Sequence, residues 1–333
     1  MADGLPVSPR LEDFAADFFK WGVCPWIKRQ HAKGRPFSEY HAKARRGHLD
    51  KYIIPQFGKK RLDEVTRPMV ENWLVTLPLS NQTRNHILYT LKTLFREAEA
   101  EKLIRSDPLA KAEPMGHDSK ARDVFKMEEL RLLFPDGRKK LLEIWKTQKW
   151  ATLFMVLATT GIRQGEARAL AWRHLLPGGW LYVERGVKRN GEIGTTKTGT
   201  ARIVALPERA RKELERWRKD SPFTEHDHLI FCSDRPDKPI HVETVTHYLP
   251  RALERAELKV SGRNLPVHSL RHTYNTLMRP ILPEEILRKF TGHKTPGMTD
   301  LYDHPALEDQ IAKLEPVRAL VEKVWAPRRK ATK

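Results

Sequence analysis

Apolar residues recur every three or four positions along residues 36–112, the spacing of amphipathic helices rather than of strands. Ser38 opens one segment running to Tyr52, which Pro55 and Gly58 are expected to end. Thr66 and Pro68 open a second, with Val70, Trp73, Leu74 and Leu77 on its apolar side. Ser80 opens the longest, where Ile87, Leu88, Leu91, Leu94, Phe95 and Ala98 form one stripe. These faces need one another, so the spacing predicts a small helical bundle, stopped by Asp107 and Pro108. Upstream, Leu11 to Phe19 reads as a single short helix before Gly22, Pro25 and the basic run Lys28, Arg29, Lys33 and Arg35. Residues 1–35 are therefore expected to be an N-terminal arm or the remnant of an accessory DNA-binding segment. Residues 113–122, with Pro114 and Gly116 and almost nothing apolar, read as a linker.

The pattern changes over residues 123–306. Helices are expected at Lys126 to Phe134 and through Trp150, Leu153, Phe154, Val156 and Leu157, the latter ended by Thr160 and Gly161. The only clear β region follows: Trp180 to Glu184, a tight turn at Asn190 and Gly191, and Thr200 to Leu206, with Lys197 expected at a hairpin tip. Helical spacing returns at Arg209 to Trp217 and Val242 to Leu258, and again from His268. A further helix is signalled by Pro283, Glu284 and Glu285 at its start and Gly292 as its stop, which delivers His293 just past its end. After residue 306, Ile311, Leu314, Leu320, Val321 and Val324 form a C-terminal helix interrupted by Pro316, with a basic tail at Arg328, Arg329 and Lys330. Residues 307–333 are expected to cover their own domain or to dock on a neighbouring subunit. The fold class is mainly α with a small antiparallel β-sheet.

Composition narrows the partner. The 333 residues are too many for one ordinary core, which suggests two domains. Lysine and arginine total 61 against 42 acids, a formal charge of +19 that points to a polyanion, with nucleic acid first. A merely basic protein is the alternative. Lys43, Arg45 and Arg46 in the first helix, with Arg84 and Lys92 in the third, are the candidate DNA contacts. No run of about 18 apolar residues is present, and the N-terminus has no apolar signal core, so a cytoplasmic, nucleoid-associated protein is expected. Cys24 and Cys232 read as free thiols, and the one close histidine pair, His226 and His228, has no cysteine nearby, so no metal site is expected.

The chemistry gathers at chain ends of helices and loops. His268 and Arg271 lie three apart on one helix face, as do Arg163 and the acid Glu166, which is placed to hold the guanidinium. With Lys197, His293 and Tyr302 they make a cationic pocket around a phenol. Two arginines that fork onto the oxygens of a phosphodiester stabilise a pentacoordinate phosphorus without a metal or other cofactor. A phenol with a pKa of about 10 becomes a nucleophile in such a field, and Lys197 is placed to protonate the departing sugar oxygen. Because the covalent link conserves the energy of the broken bond, no ATP is required. Each residue also has a structural reading. His268 and His272 would be core histidines, Arg271 a buried ion pair and Tyr302 a packed ring. Tyr274 is the rival nucleophile.

In chain order these residues sit in TTGIRQGEARALAW around Arg163 and Glu166, TTKTGTARIVALP around Lys197, HSLRHT at His268 to Thr273, TGH ending at His293, and Tyr302 nine positions on. Over residues 36–306 the sequence resembles the tyrosine recombinases of the phage integrase family. The resemblance implies a helical core-binding, SAM-like domain at 36–112 and a mixed α+β catalytic domain at 123–306, clamped around double-stranded DNA. It implies that Arg163 and Arg271 clamp the scissile phosphate, Lys197 acts as general acid, His268 and His293 assist by proton transfer and hydrogen bonding, and Glu166 buttresses the site. Tyr302 would form a 3′-phosphotyrosyl link, with four protomers at a synapse passing through a Holliday junction, in integration or excision of a mobile element helped by accessory or host factors. The sequence departs from the family at Arg279 and Pro280, where a glycine-bearing turn is usual, and residues 1–35 are short for a three-stranded arm-binding domain. The other functions compatible with the residues are a DNA-binding regulator that keeps the fold without chemistry and a topoisomerase-like strand relaxer.

Overall fold

The computed structural model describes residues 7–116, 123–197, 199–292 and 307–326. The chain divides between Lys120 and Ala121 into two units. The first consists of α1 (Leu11–Phe14), α2 (Pro25–Ala32), α3 (Glu39–His48), α4 (Ile54–Phe57), α5 (Arg67–Thr76) and α6 (Asn81–Ala100). Serine starts two of these as its position predicts: Ser38 Oγ accepts from the N–H of His41, and Ser80 Oγ from the N–H of Thr83, each at 3.3 Å. Pro55 does not end the first segment. Residues Leu49–Ile53 form a π turn between α3 and α4, and this wider turn gives room for a ring that can donate no backbone bond. The helical path stops only beside Gly58.

The N-terminal segment is not separate from this unit. Leu11, Ala15, Phe18 and Phe19 are buried in the same core as Ile53, Leu88, Leu91 and Phe95. The expected helix shrinks to a single turn, Leu11–Phe14, and the residues after it run in turns up to Phe19, which adopts a φ of 60°. Arg46 then ties the segment down by donating to the carbonyls of Ala15, at 2.7 Å, and Ala16, at 3.0 Å. No boundary between units falls near residue 35. Residues as far as Gly116 remain attached to the bundle through Asn85, which bonds the backbone of Met115, and Asn81, which donates to the carbonyl of Gly116.

The second unit is built around one buried helix. It contains α7 (Met127–Leu133), α8 (Arg138–Trp145), α9 (Gln148–Thr160) and α10 (Gln164–Arg168). Strands β1 (Leu175–Leu176), β2 (Trp180–Val183), β3 (Arg185–Val187), β4 (Ile193–Thr195) and β5 (Arg202–Ala205) follow. Helices α11 (Glu208–Asp220), α12 (Val242–Arg255), α13 (His268–Met278), α14 (Glu284–Thr291) and α15 (Leu307–Trp325) complete it. Residues 150–160 of α9 are all buried, as an all-round apolar helix requires, and α8, α11 and α13 pack against it. The strands form an antiparallel sheet in the order β1-β2-β5 and a separate β3-β4 ribbon, in register Val183 with Arg202 and Arg185 with Thr195.

The C-terminal helix packs on its own unit in this single chain. Val321 and Trp325 are buried in the core of the second unit, and α15 continues through Pro316. Glu322 accepts the N–H of Glu208 at 2.8 Å, so α15 caps the start of α11. Among the described residues no helix is long and apolar enough to cross a membrane.

Candidate active site

Three arginines and one glutamate meet where α9 and α14 end. Gly161 closes α9 with a φ of 63°, and a Cβ there would lie 2.4 Å from the ring of Tyr274, so both the turn and the packing demand glycine. The next turn starts α10 with Arg163 as its cap and Glu166 on its first turn. Glu166 reaches back to accept the Arg163 N–H at 2.7 Å and also pairs with the Arg163 side chain at 3.0 Å. Arg163 Nη2 goes on to donate to the carbonyl of Gly292 at 2.9 Å. From α13, Arg271 donates to the carbonyl of Gly161 at 2.8 Å and to that of Thr291. The expected face-sharing of Arg163 with Glu166 is thus a contact, and the pair is a part-buried one rather than a solvated surface bridge.

A residue that sequence reasoning passed over completes the cluster. Arg202, at the start of β5, forks onto both oxygens of Glu166 at 3.1 and 2.7 Å and donates from Nε to the carbonyl of Phe290 at 2.8 Å. Phe290, Thr291 and Gly292 are the last carbonyls of α14 and its cap, and each is bonded by a different arginine. Such carbonyls have no partner inside their own helix and carry the negative end of its dipole. The available signal was a single charge in the otherwise apolar run IVAL that follows it.

Burial and charge set the electrostatics. Burial pushes the Glu166 carboxyl up, but the hydrogen bonds and charge of Arg202, with those of Arg163, outweigh it and hold the group below the usual carboxylate range. Burial, with the charges of Arg163 and Arg202, drags the Arg271 guanidinium down to about 9, against the pull of Glu166. Among the described residues no carboxylate forms an ion pair with Arg271. Arg271 is therefore, among the described residues, a buried cation hydrogen-bonded by two carbonyls, with the charge of Glu166 nearby, rather than a member of an ion pair.

Of the other expected site residues, His268 is exposed at the start of α13, its ring 4.6 Å from that of His272 and edge-on to it, so it is not a core histidine. Lys197 is exposed but does not lie at the hairpin tip. The tip is the turn from Lys188 to Glu192, whereas Lys197 lies in the link from β4 to β5, in a turn closed by Gly199 N–H donating to the Thr196 carbonyl at 2.9 Å. The link exists because β4 and β5 pair with different strands. His293 and Tyr302 lie outside the described residues. The rival nucleophile Tyr274 is fully buried, its hydroxyl has no hydrogen-bond partner, and burial raises its pKa, all of which oppose a phenolate.

Four of the five candidate DNA contacts prove to be occupied inside the first unit. Arg45 donates to Thr93 at 2.7 Å and lies over the rings of Phe19 and Phe37. Arg46 binds Asp50 besides the carbonyls already described. Arg84 donates twice to the Leu77 carbonyl, closing the end of α5, and Lys92 donates to the carbonyls of Ala110 and Ala112. Side chains with long apolar stems and several donors serve a small bundle in this way, which spacing alone does not reveal. Lys43 remains at the surface, paired with Glu39 at 2.8 Å.

The phage integrase family model matches residues 132–308, more than half of the chain. The chain belongs to the phage integrase family and is a tyrosine-type site-specific recombinase. An integrase of Streptomyces ambofaciens is 25% identical over 328 residues, which cover 90% of this chain and 77% of that one. The ICEBs1 integrase of Bacillus subtilis (strain 168) is 22% identical over 277 residues, covering 77% and 71%. Among solved structures, a lambda integrase dimer bound to a COC' core site has a TM-score of 0.67 at 16% identity, covering 98% of this chain and 81% of that one. The Tn1549 transposon integrase in complex with transposon right end DNA has a TM-score of 0.65 at 21% identity, covering 88% and 98%. These likenesses establish the fold.

Proposed function

We propose that this recombinase cuts and rejoins double-stranded DNA through a 3′-phosphotyrosyl link to Tyr302, in integration or excision of a mobile element, with neither metal nor ATP. The observation that carries the reading is the convergence of Arg163 and Arg271 from two helices onto adjacent carbonyls, with Glu166 fixing the first. Each guanidinium has five N–H donors, and the carbonyl and carboxylate contacts use only some of them, so both keep donors for the oxygens of one phosphate. The Tyr302 oxygen attacks phosphorus, its proton passing to His268 or His293, while the bond from phosphorus to the 5′ oxygen breaks. That oxygen takes a proton from Lys197 and leaves as a hydroxyl. A 5′ hydroxyl from another strand reverses the step and frees the phenol. The arginines supply the charge that the pentacoordinate state needs.

Residues 36–112, with the packed segment before them, act as the core-binding unit, and residues 123–306 as the catalytic unit, with Lys43 among the DNA contacts. Assembly of four copies on synapsed DNA is supported by the likeness to a lambda integrase tetramer bound to a Holliday junction. The test is a nicked suicide duplex carrying the junction sequence that flanks the gene in its native replicon. Wild type is expected to trap as a protein–DNA adduct and Tyr302→Phe to form none. No adduct with wild type, or an adduct with the phenylalanine variant, refutes the reading.

A further inference from the structure

We infer that Arg202 is a positioning residue of the strand-cleavage reaction: by forking onto Glu166 and bonding the end of α14, it fixes the guanidinium of Arg163 against the scissile phosphate. The inference rests on the proposed use of Arg163 as a phosphate clamp. Glu166 accepts four hydrogen bonds, two from Arg163 and two from Arg202. Of these two arginines, Arg163 is the one to which the proposed clamp gives a phosphate. Arg202 keeps 8% of its side-chain surface exposed and Glu166 3%, against 20% for Arg163, so the inner pair is sealed while the outer arginine faces the site.

The geometry makes Arg202 more than a counter-ion. Its Nε bond to Phe290 lies one and two residues from the carbonyls that Arg271 and Arg163 use. A Cβ on Gly292 would come within 3.2 Å of the Arg202 guanidinium and 3.3 Å of Arg163 Nη1, so the two cations press on one backbone turn from which the chain leaves toward His293. Two like charges stay this close because Glu166 lies between them, ionised. Among the described residues the charged groups that face Glu166 are Arg163 from the start of its own helix, Arg202 from β5 and Arg271 from α13, while β3 meets it with Gly186. Without Arg202 a carboxyl this buried binds a proton more readily, and a neutral acid no longer anchors Arg163.

The test is single-turnover cleavage of the nicked suicide duplex by full-length wild type, Arg202→Gln and Arg202→Lys across the acid side of the pH profile, with duplex affinity measured in parallel. Arg202→Gln is expected to bind the duplex as wild type does, to cleave roughly 100-fold more slowly at neutral pH, and to lose activity at a higher pH on acidification. Arg202→Lys keeps the charge but not the fork, so its acid limb is expected to stay near that of wild type while its rate remains reduced. Should Arg202→Gln fail to give a cooperative melt, the lysine variant decides by its rate alone. Cleavage by Arg202→Lys at the wild-type rate overturns the inference, as does an acid limb that glutamine leaves unmoved, which would make Arg202 a packing residue. Absence of any adduct with wild type would instead refute the use of Tyr302 and leave the Arg202 contacts without a reaction to serve.

Discussion

A guanidinium in the interior is costly unless its donors are met, and among the described residues Arg271 meets part of that cost with two carbonyls and no carboxylate ion pair. A phosphate arriving at such a residue adds compensation to a buried charge that two carbonyls and the more distant Glu166 meet only in part, which is how a site binds an anion more strongly than a surface arginine can. Lysine offers three donors from one point and cannot span the same two carbonyls while facing a ligand, so residue type matters here beyond sign. Tyr274 is the opposite case. Its hydroxyl is buried with no hydrogen-bond partner, and its ring packs at the Gly161 turn. Tyr274→Phe removes an unsatisfied polar atom without changing the ring, so denaturant unfolding is expected to show a gain of about 1 kcal/mol. Adduct formation should be unchanged; its loss would restore Tyr274 as a nucleophile.

At the scale of elements, the end of α14 is the point on which the site turns. Gly292 closes the helix with a φ of 63° and leaves room for two guanidinia that a methyl group would crowd. Gly292→Ala is expected to destabilise the catalytic unit by about 1–2 kcal/mol from backbone conformation alone, and to slow cleavage through the displaced arginines. Thermal melts and single-turnover rates separate the two effects, and an unchanged rate would contradict the role given to this turn. The stop at Gly292 was legible in the sequence, as were the long helix from Ser80, the buried α9 and the pairing of Arg163 with Glu166. Each rests on local spacing or on a residue with one conformational use. Less was legible where partners are distant in sequence. Arg202 and Phe290 are 88 positions apart, and nothing local marks a strand arginine as buried. Arg46, Arg84 and Lys92 read as free cations because the carbonyls that take them belong to turns with no sequence signature. The packing of the N-terminal segment was not legible for the same reason, since Phe18 and Phe19 find their core only once residues 49–57 and 88–95 have assembled.

At the scale of the whole molecule, a net charge of +19 exceeds what the folded units neutralise, and it fits a protein whose stability and partner both depend on ionic conditions. One histidine in each unit, the buried His174 and the part-buried His48, couples that unit to pH. Burial lowers the pKa of His174, where Ala171 N–H donates to Nδ1, so the ring proton sits on Nε2 facing Glu184. Burial, with the charges of His86 and Arg45, lowers that of His48 in the first unit. A histidine whose folded pKa lies below its unfolded value of about 6.5 is neutral in the native state, so its contribution is intact above that pH and is lost as pH falls below it. Melting temperatures are therefore expected to fall on acidification below about pH 6.5, and His174→Gln should flatten that slope for the catalytic unit. A slope unaffected by the substitution would contradict the assignment.

The central claim is that the phenol of Tyr302 takes the phosphate held by Arg163 and Arg271, and its most direct test is the identity of the modified residue. The adduct trapped on the suicide duplex is digested with nuclease and trypsin and its peptides are sequenced by mass spectrometry. The account predicts a nucleotide remnant on the peptide of residues 295–313, located at Tyr302. A remnant on any other tyrosine, or a trapped complex with no covalent nucleotide, would contradict it.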